Sequence, residues 1–365
     1  MLSENESLLV VLQGEVVTEY PSHHEVDLCH YQGQIKGHKG SWAALSTCQG
    51  QVQGVLFDGS EMWHLQKAVQ GSQEYHLYQH SAQVEQNFTC GFDQDKVKMA
   101  PVKRPKRDIQ DQGTSRPQEN EIDTNESTDK ELKKGHLQEN NGQPFVLRGP
   151  WNANKQSRYV ELVLVVDHME YMEHNQDLNL VYRICKDVAN VMNALYSPLN
   201  IYIALVGVVV WTEHDEINLS TDGDTTLKNF LHYRKERLVK EHPNDNAQLL
   251  TGIHFEGGVV GKALKGPICT YEFSGGVNMW HSDVVGLVAT TVAHEMGHNF
   301  GMDHDKEECK CPDEKCIMAP ASSTMKPTFW SSCSLEYLAL AFEHGKRPSR
   351  FSWIPSKLAA FVKKL

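Results

Sequence analysis

Long apolar runs mark the second half of the chain. Residues 159–166 and 201–211 are nearly continuous stretches of aliphatic and β-branched side chains, and residues 247–255 form a shorter stretch of the same kind. Continuous rather than alternating apolar positions are typical of strands that are covered on both faces. We therefore predict three buried strands.

The segments between these runs have the apolar spacing of helices. Residues 178–195 and 226–240 repeat their apolar side chains with helical spacing, and Asp224 is positioned to cap the second helix. Strands that alternate with helices are typical of α/β proteins with a mostly parallel sheet. The pattern therefore predicts an α/β fold for this half of the chain.

A strongly acidic segment divides the chain. Residues 108–142 contain nine Asp or Glu against four Lys or Arg, no aromatic residue and only four large aliphatic residues. Such a composition buries too little apolar surface to offset the entropy of ordering the chain. We predict a disordered linker in this segment.

A basic cluster lies just before the linker. Arg104, Pro105, Lys106 and Arg107 form the R-x-K-R pattern that furin-like convertases of the secretory pathway recognise. Basic clusters also occur as ordinary solvated surface, but this one adjoins chain that is predicted to be flexible, where proteases cut. The cluster therefore predicts cleavage after Arg107.

Length and charge narrow the class of protein. The 365 residues predict about two domains, and the net charge of −12 gives no reason to expect a nucleic-acid partner. The longest apolar run, residues 201–211, is shorter than a membrane-spanning helix requires. The start, MLSENESLLVVLQGEVV, lacks the basic residues that open a signal peptide, so we expect an incomplete or alternatively started chain.

The stretch TVAHEMGHNFGMDHD, residues 291–305, concentrates metal-binding side chains. His294 and His298 are four residues apart, so a helix projects them from nearly the same face, with Glu295 beside them as a candidate general base. Gly301 can take the left-handed conformation that ends a helix, which lets His304 return as a third ligand. Three nitrogens leave one position of tetrahedral zinc open for water, as in a catalytic zinc site.

Chance is the alternative explanation of this motif. HExxH alone can arise on a surface helix, whereas HExxHxxGxxH is far less often a coincidence. Downstream, Cys316, Ile317 and Met318 supply the methionine turn that is expected with the long motif. Met318 taken alone could equally be a residue of the core.

These residues resemble a known family. HEMGHNFGMDHD followed by CIM is similar to the metzincin endopeptidases, and in particular to their reprolysin or ADAM branch, in which an aspartate follows the third histidine. RYVELVLVVD, LNIYIALVGVVVWT and DNAQLLTG resemble ADAM catalytic-domain segments in the same order. Near the start, CHYQG and STC resemble part of an ADAM prodomain.

The resemblance implies a domain organisation. It predicts a metzincin metalloprotease domain with a twisted, mostly parallel sheet and a long zinc-binding helix, preceded by a partial β-rich prodomain. We accordingly expect a prodomain over residues 1–107, a linker over 108–157, a reprolysin-type metalloprotease domain over 158–345 and a divergent tail over 346–365.

The resemblance also implies an activity, the zinc-dependent hydrolysis of peptide bonds in extracellular or cell-surface proteins. Glu295 would take a proton from the attacking water and pass it to the leaving amine. Residues 257–263 resemble the family's edge strand, to which a substrate could add as an antiparallel strand, although an ordinary edge strand explains them equally well. Residues 319–322 are small, which predicts a pocket for a medium-sized apolar side chain.

The nine cysteines are assigned by the same resemblance. It implies three disulfides, Cys29–Cys48, Cys309–Cys333 and Cys311–Cys316. It also makes Cys90, in NFTCGFD, a cysteine switch whose thiolate fills the open zinc position and keeps a zymogen latent. A disulfide role for Cys90 stays open, although an odd count leaves at least one free or intermolecular thiol.

Other positions depart from the family pattern. Relatives pair the cysteine placed like Cys269 with one near the domain's C-terminus, which this chain lacks, and Cys185 fits a small buried apolar residue. Glu161 and Asp245 match acidic positions of a family calcium site, but two carboxylates are too few for an ion that takes about six or more oxygens. Calcium binding is therefore left open.

Two functions remain in view. The first is a latent zinc protease of the secretory pathway, which four N-x-S/T sequons also indicate, at Asn5, Asn87, Asn125 and Asn218. Full-length relatives of this kind are membrane-anchored. The second is a catalytically silent binding or decoy protein produced as a truncated form, because the terminal cysteine is missing, the prodomain is short at its beginning and the processing site is displaced.

Overall fold

The structure is a computed structural model that describes residues 2–12, 15–19, 29–68, 74–79, 88–92, 157–312, 316–322 and 329–343. The predicted convertase site with Arg104 and Arg107 lies outside these residues. So do the acidic linker up to residue 156 and the C-terminal tail from residue 346.

The described residues contain two β-sheets. In chain order the strands are β1 (Leu2–Leu12), β2 (Glu15–Glu19), β3 (His30–Gly33), β4 (Trp42–Ser46), β5 (Gln53–Phe57), β6 (Met62–Lys67), β7 (Tyr75–Gln79), β8 (Phe88–Cys90), β9 (Arg158–Val166), β10 (Ile201–Trp211), β11 (Asn246–Thr251), β12 (Val259–Ala263), β13 (Gly275–Met279) and β14 (Ala321–Ser322).

Helices connect the strands of the second half. They are α1 (His168–Glu173), α2 (Leu178–Tyr196), α3 (Gly223–Tyr233), α4 (Val239–Glu241), α5 (Val285–Asn299) and α6 (Ser332–Glu343). A π-helical turn, Arg234–Leu238, joins α3 to α4, and short 3-10 turns occur at Cys48–Gly50, Ser197–Leu199 and Glu256–Gly258.

The larger sheet has the strand order β14-β8-β12-β13-β11-β9-β10-β1-β2. From β13 to β1 every neighbouring pair is parallel, whereas β12 is antiparallel to β13. The mixed α/β content that the alternating pattern predicts is confirmed. Strand β12, which lies between β8 and β13, is next to the functional site described below.

Strand β9 shows why the apolar runs are continuous. Leu162 and Leu164 lie in the core that contains residues of α2 and α5, whereas Val163 and Val165 lie in the core that contains residues of α3. Because helices cover both faces, successive side chains are all buried, and each contributes about 1.5–3 kcal/mol relative to exposure.

Two predicted boundaries are wrong. The third strand, predicted over residues 247–255, ends as β11 at Thr251, because the N–H of Gly252 turns to the buried carboxylate of Asp167 at 3.2 Å. The helix predicted over residues 226–240 begins earlier, at Gly223. Asp222 caps that helix instead of Asp224, since the Asp222 carboxylate accepts from the N–H groups at the helix start.

The smaller sheet is antiparallel, in the order β3-β4-β5-β6-β7, and packs against α2. Asp187 of α2 bonds to His30 Nε2 at 2.8 Å and accepts from Gln53 Nε2 at 2.6 Å. Val55 and Phe57 of this sheet are buried in the same core as α2 and α5. The smaller sheet therefore makes both apolar and polar contacts with the second half of the chain.

Three disulfides crosslink the structure, and they are the pairs that the resemblance implies: Cys29–Cys48, Cys309–Cys333 and Cys311–Cys316. Cys90, Cys185 and Cys269 are free thiols, and Cys185 is buried on α2. Among the helices of the described residues, none combines the length and apolar character needed to cross a membrane.

Candidate active site

Helix α5 carries the first part of the metal-binding motif. His294, Glu295 and His298 are buried in spite of their polarity, at 7%, 1% and 0% exposure. Apolar residues of the same helix, including Val292 and Met296, belong to the main core. Packing of these apolar residues fixes the position of the helix and therefore the direction of its polar side chains.

The chain reverses directly after α5. Gly301 has a φ of 99°, and its N–H donates to the carbonyl of His298 at 2.8 Å. Only glycine adopts such a φ at low cost. The turn returns His304, whose Nε2 lies 3.3 Å from Nε2 of His294 and 3.2 Å from Nε2 of His298. The three imidazoles of the motif therefore converge on one point.

Backbone carbonyls fix the protons of two of these rings. Nδ1 of His294 donates to the carbonyl of Ile317 at 2.6 Å, and Nδ1 of His298 donates to that of Met302 at 2.9 Å. Because a carbonyl only accepts, both neutral rings turn an unprotonated Nε2 inward.

This arrangement fits a zinc ion. Nε2 of His304 can donate a proton to at most one of the two unprotonated nitrogens, so at least one contact brings two lone pairs together. A cation between the nitrogens removes that repulsion, and three imidazoles are a donor set of catalytic zinc. Burial lowers the pKa of His294 to about 3 and that of His304 to about 4, so both rings are in the neutral form that binds metal.

The methionine turn packs against the same helix. Met318 is fully buried, and a Cβ added at Gly297 would lie 2.6 Å from its sulfur. The preceding residue, Ile317, provides the carbonyl that orients His294. The turn predicted from Cys316-Ile317-Met318 thus contributes both close packing and a hydrogen-bond acceptor.

The carboxylate of Glu295 contacts Cys90, whose sulfur also lies close to His298. Its Oε1 accepts from the thiol of Cys90 at 3.2 Å, and its Oε2 is buried without a hydrogen-bond partner. Burial raises the pKa of Glu295 to about 8, opposed by the Cys90 hydrogen bond and the charge of Lys262. A Cβ at Gly261 would lie 2.5 Å from Oε1, so the glycine allows strand β12 to lie this close to the carboxylate.

Strand β8 occupies the cleft beside the histidines. It pairs parallel with β12, Cys90 opposite Gly261, and antiparallel with β14, Thr89 opposite Ala321. The N–H of Cys90 also donates to the carbonyl of Pro320 at 3.2 Å. The edge strand and the segment after Met318, both predicted to contact substrate, here hold a segment of the chain itself.

Cys90 completes the cluster. Its sulfur lies 3.4 Å from Nε2 of His298, and the four ligand atoms of Cys90 and the three histidines lie within 4.8 Å of one another. Burial, followed by the charge of Glu295, raises the pKa of the Cys90 thiol well above its usual range. Without metal the group therefore stays protonated, and a bound cation would favour the thiolate.

Two contacts at this site were missed by sequence reasoning. The ring of Phe92 stacks on that of His298, and the only sequence signal was an aromatic residue two positions after Cys90. Asn299 donates to the carbonyls of Leu264 at 2.9 Å and Gly275 at 3.1 Å, which ties the end of α5 to the neighbouring strands. Its signal was an amide directly after a ligand histidine.

The calcium expectation gains no support. Glu161 and Asp245 are neighbours, since the N–H of Glu161 donates to the Asp245 carboxylate at 3.0 Å, but Asp245 also bonds to the Cys269 thiol. Within the described ranges, the groups of three or more possible metal ligands are Cys90 with the three histidines, and Cys29 with His30 and Cys48. The second group contains a disulfide, and neither group includes the two carboxylates.

Comparison with known proteins gives relatives for most of the chain. The profile of the "Reprolysin (M12B) family zinc metalloprotease" matches residues 158–348. Disintegrin and metalloproteinase domain-containing protein 12 of Mus musculus is 33% identical over 341 residues, 92% of this chain and 34% of that protein. Human disintegrin and metalloproteinase domain-containing protein 15 is 32% identical over 356 residues, 93% of this chain and 36% of that protein.

A third relative comes from a nematode. Disintegrin and metalloproteinase domain-containing protein adm-2 of Caenorhabditis elegans is 35% identical over 321 residues, 87% of this chain and 29% of that protein. The chain thus spans about a third of the length of these curated relatives. Together with the match over residues 158–348, this similarity shows that the chain belongs to the reprolysin (M12B) family of zinc metalloproteases.

Proposed function

We propose that this chain is a zinc-dependent endopeptidase made in a latent form. The observation that carries the proposal is the convergence of three imidazoles beside a buried carboxylate, with Nε2 of His304 3.3 Å from that of His294 and 3.2 Å from that of His298. His294, His298 and His304 would hold the ion, and Glu295 would act as general base.

The residues divide the chemistry of peptide hydrolysis. Bound zinc supplies polarisation of a carbonyl and a lowered pKa for water. Glu295 would take the proton of the attacking water and deliver it to the leaving amine, since its carboxylate lies 3.2 Å from the Cys90 sulfur, which occupies the place that this water would take. The backbone of Gly261 offers a carbonyl to an incoming peptide, as it does to the N–H of Gly91 at 2.9 Å.

Peptide substrates would take the place of residues 88–92. A substrate that adds antiparallel to β12 runs opposite to β8, which is parallel to that strand. Because residues 88–92 run in the opposite direction to a substrate, their peptide carbonyl groups are not placed where those of a substrate would lie. This supports an inhibitory role for the segment around Cys90, with residues 319–322 forming the wall of the substrate pocket.

Activation would require release of this segment. We assign residues 1–107 to a prodomain, 158–345 to the protease domain, and the cut to a furin-like convertase acting after Arg107. Three disulfides and an exposed sequon at Asn218 support maturation in the secretory pathway.

A comparison before and after processing tests the proposal. The zinc-loaded chain is treated with a convertase, and zinc content and cleavage of a mixed peptide library are measured on both samples. We expect one zinc per chain in both and cleavage only after treatment. Bound zinc with no cleavage after complete processing would favour the silent binding or decoy protein instead.

A further inference from the structure

The rings of two histidines form an aromatic surface beside the point of convergence. Phe92 lies on this surface: its ring stacks on that of His298, with centroids 4.2 Å apart and planes at 26°, and meets that of His304 edge-on at 5.6 Å and 89°. Phe92 is 8% exposed, so the contact excludes water from this side of the site.

We propose that the faces of His298 and His304 form a binding subsite for an aromatic side chain. Phe92 fills it in the unprocessed chain, and an aromatic residue of a peptide ligand fills it once the segment has left. The inference rests on the proposed zinc site and extends it to the chemical class of peptide that the site takes.

The backbone of the segment explains how the ring reaches this position. The thiol of Cys90 enters the cluster, and the N–H of Phe92 donates to its sulfur at 3.3 Å, so the chain curls over the cleft. Gly91 allows the curl, because a Cβ there would lie 3.0 Å from Val259 Cγ1 and 3.2 Å from Lys262 Cδ. Thiol and ring therefore contact the same cluster from one short turn of chain.

The chemistry of the surface favours aromatic rings over aliphatic groups. An imidazole that ligates a cation is electron-poor, and the face of a benzene or indole ring is electron-rich. Stacking of the two rings therefore adds an attraction to the burial of apolar area. A leucine side chain would supply the burial of apolar area but not the stacking. We expect peptides with Trp or Tyr at this position to bind at least as tightly as those with Phe. Peptides with Leu should bind more weakly, and those with Ala most weakly.

The reactivity of Cys90 tests the subsite without measuring catalysis. The zinc-loaded full chain is treated with iodoacetamide, and alkylation of Cys90 is followed by peptide mapping. We expect Phe92→Ala to raise the rate about tenfold or more, Phe92→Leu to raise it less, and Phe92→Tyr to leave it unchanged or lower. Phe273→Ala, which removes an exposed ring outside this segment, is the matched control and should react as the unaltered chain does.

Two outcomes would overturn the inference. One is an unchanged rate in Phe92→Ala, and the other is a Phe92→Leu rate equal to that of the unaltered chain, which would make the contact merely apolar. Cys185 is buried on α2 and reports folding, so faster labelling of Cys90 counts only where labelling of Cys185 stays slow. Phe92→Leu keeps the test decisive if the alanine variant fails to fold.

Peptide profiling tests the same subsite on ligands. Substrates antiparallel to β12 place residues N-terminal to the scissile bond where Phe92 lies. The convertase-treated full chain should therefore select aromatic residues over leucine on that side of the cut, and equal use of leucine would contradict the subsite. If no peptide is cleaved, the proposed protease function fails, while the alkylation of Cys90 still decides the subsite.

Discussion

Single side chains at the site owe their roles to burial and to their hydrogen-bond partners. His294 and His298 are oriented by carbonyls, and Glu295 is kept from water with one oxygen unpartnered. These features distinguish the proposed zinc ligands from the proposed general base. The imidazoles direct their lone pairs toward one point, and the carboxylate lies beside that point. Each role can be removed by one substitution.

Glu295→Ala should retain zinc and lose turnover. The three ligand imidazoles do not depend on this carboxylate, whereas removal of a general base costs about 10²- to 10⁴-fold in rate. Zinc content and the kcat of the processed chain are the measurements. Glu236→Ala, an exposed carboxylate on the π-helical turn, is the control, and a Glu295→Ala variant as active as this control would refute the assignment.

Gly261→Ala should impair catalysis without unfolding the chain. The new Cβ would lie 2.5 Å from Glu295 Oε1, so either this carboxylate or strand β12 must shift. A displacement of about 1 Å at a reacting group can cost about 100-fold. Gly223→Ala is the control, because its Cβ would find ordinary contacts from 3.6 Å. Equal kcat values for the two variants would rule out this explanation.

At this scale the sequence predicts the motif residues but not their surroundings. His294, Glu295 and His298 follow from helical spacing, and His304 follows from the glycine turn. Phe92 and Asn299 were missed because their partners lie far along the chain, and pairing across that distance depends on the whole sheet.

Helix α1 holds an unusual carboxyl group. Glu170 is 1% exposed, both of its oxygens lack hydrogen-bond partners, and His174 Nε2 lies 3.4 Å away. Burial, followed by the negative charge of Glu173, raises the pKa of Glu170 to about 9 from an ordinary 4.5. The folded chain therefore holds this proton more tightly than the unfolded chain does.

Stability should consequently fall as the pH rises. A carboxyl with a raised folded pKa contributes stability that is complete below about 4.5 and is lost toward 9, at up to about 1.4 kcal/mol per pH unit. Glu170→Gln keeps the shape without the titration, so its urea midpoint should exceed that of the unaltered chain at pH 8 and approach it at pH 5. Parallel midpoints for both proteins would contradict the prediction.

Element boundaries were predictable where local pattern decides them. Strands β9 and β10 and helix α2 match their predicted ranges closely, because continuous or helical apolar spacing is a local property. The cap of α3 was assigned to Asp224 although Asp222 fulfils it, since two aspartates two residues apart are equivalent by composition. The insertion of β8 between β12 and β14 has no local signature.

For the whole molecule, latency would depend on three attachments of the N-terminal region. Strand β1 pairs with β10 of the larger sheet. Segment 88–92 lies in the cleft, and the five-stranded sheet lies against α2, where Asp187 bonds to His30 and Gln53. The sequence predicted separate N-terminal and protease regions from their resemblances. It could not predict this docking, because the contacting residues are more than a hundred positions apart.

Asp187→Ala should weaken that docking. Loss of hydrogen bonds to a charged group costs about 1.5–3 kcal/mol each, so the N-terminal fragment should leave the convertase-treated chain at least about tenfold faster. Size-exclusion chromatography after treatment measures the retained fragment. Glu236→Ala, remote and exposed, is the control, and equal retention in both variants would show that Asp187 does not hold the sheet.

X-ray absorption at the zinc edge tests the central claim most directly. It counts the ligand types of zinc in the intact, metal-loaded chain. We predict three nitrogen ligands and one sulfur ligand in the intact chain, from His294, His298, His304 and Cys90. After the N-terminal fragment is removed, an oxygen ligand should replace the sulfur. A spectrum without bound zinc, or one in which sulfur never contributes, would contradict the account.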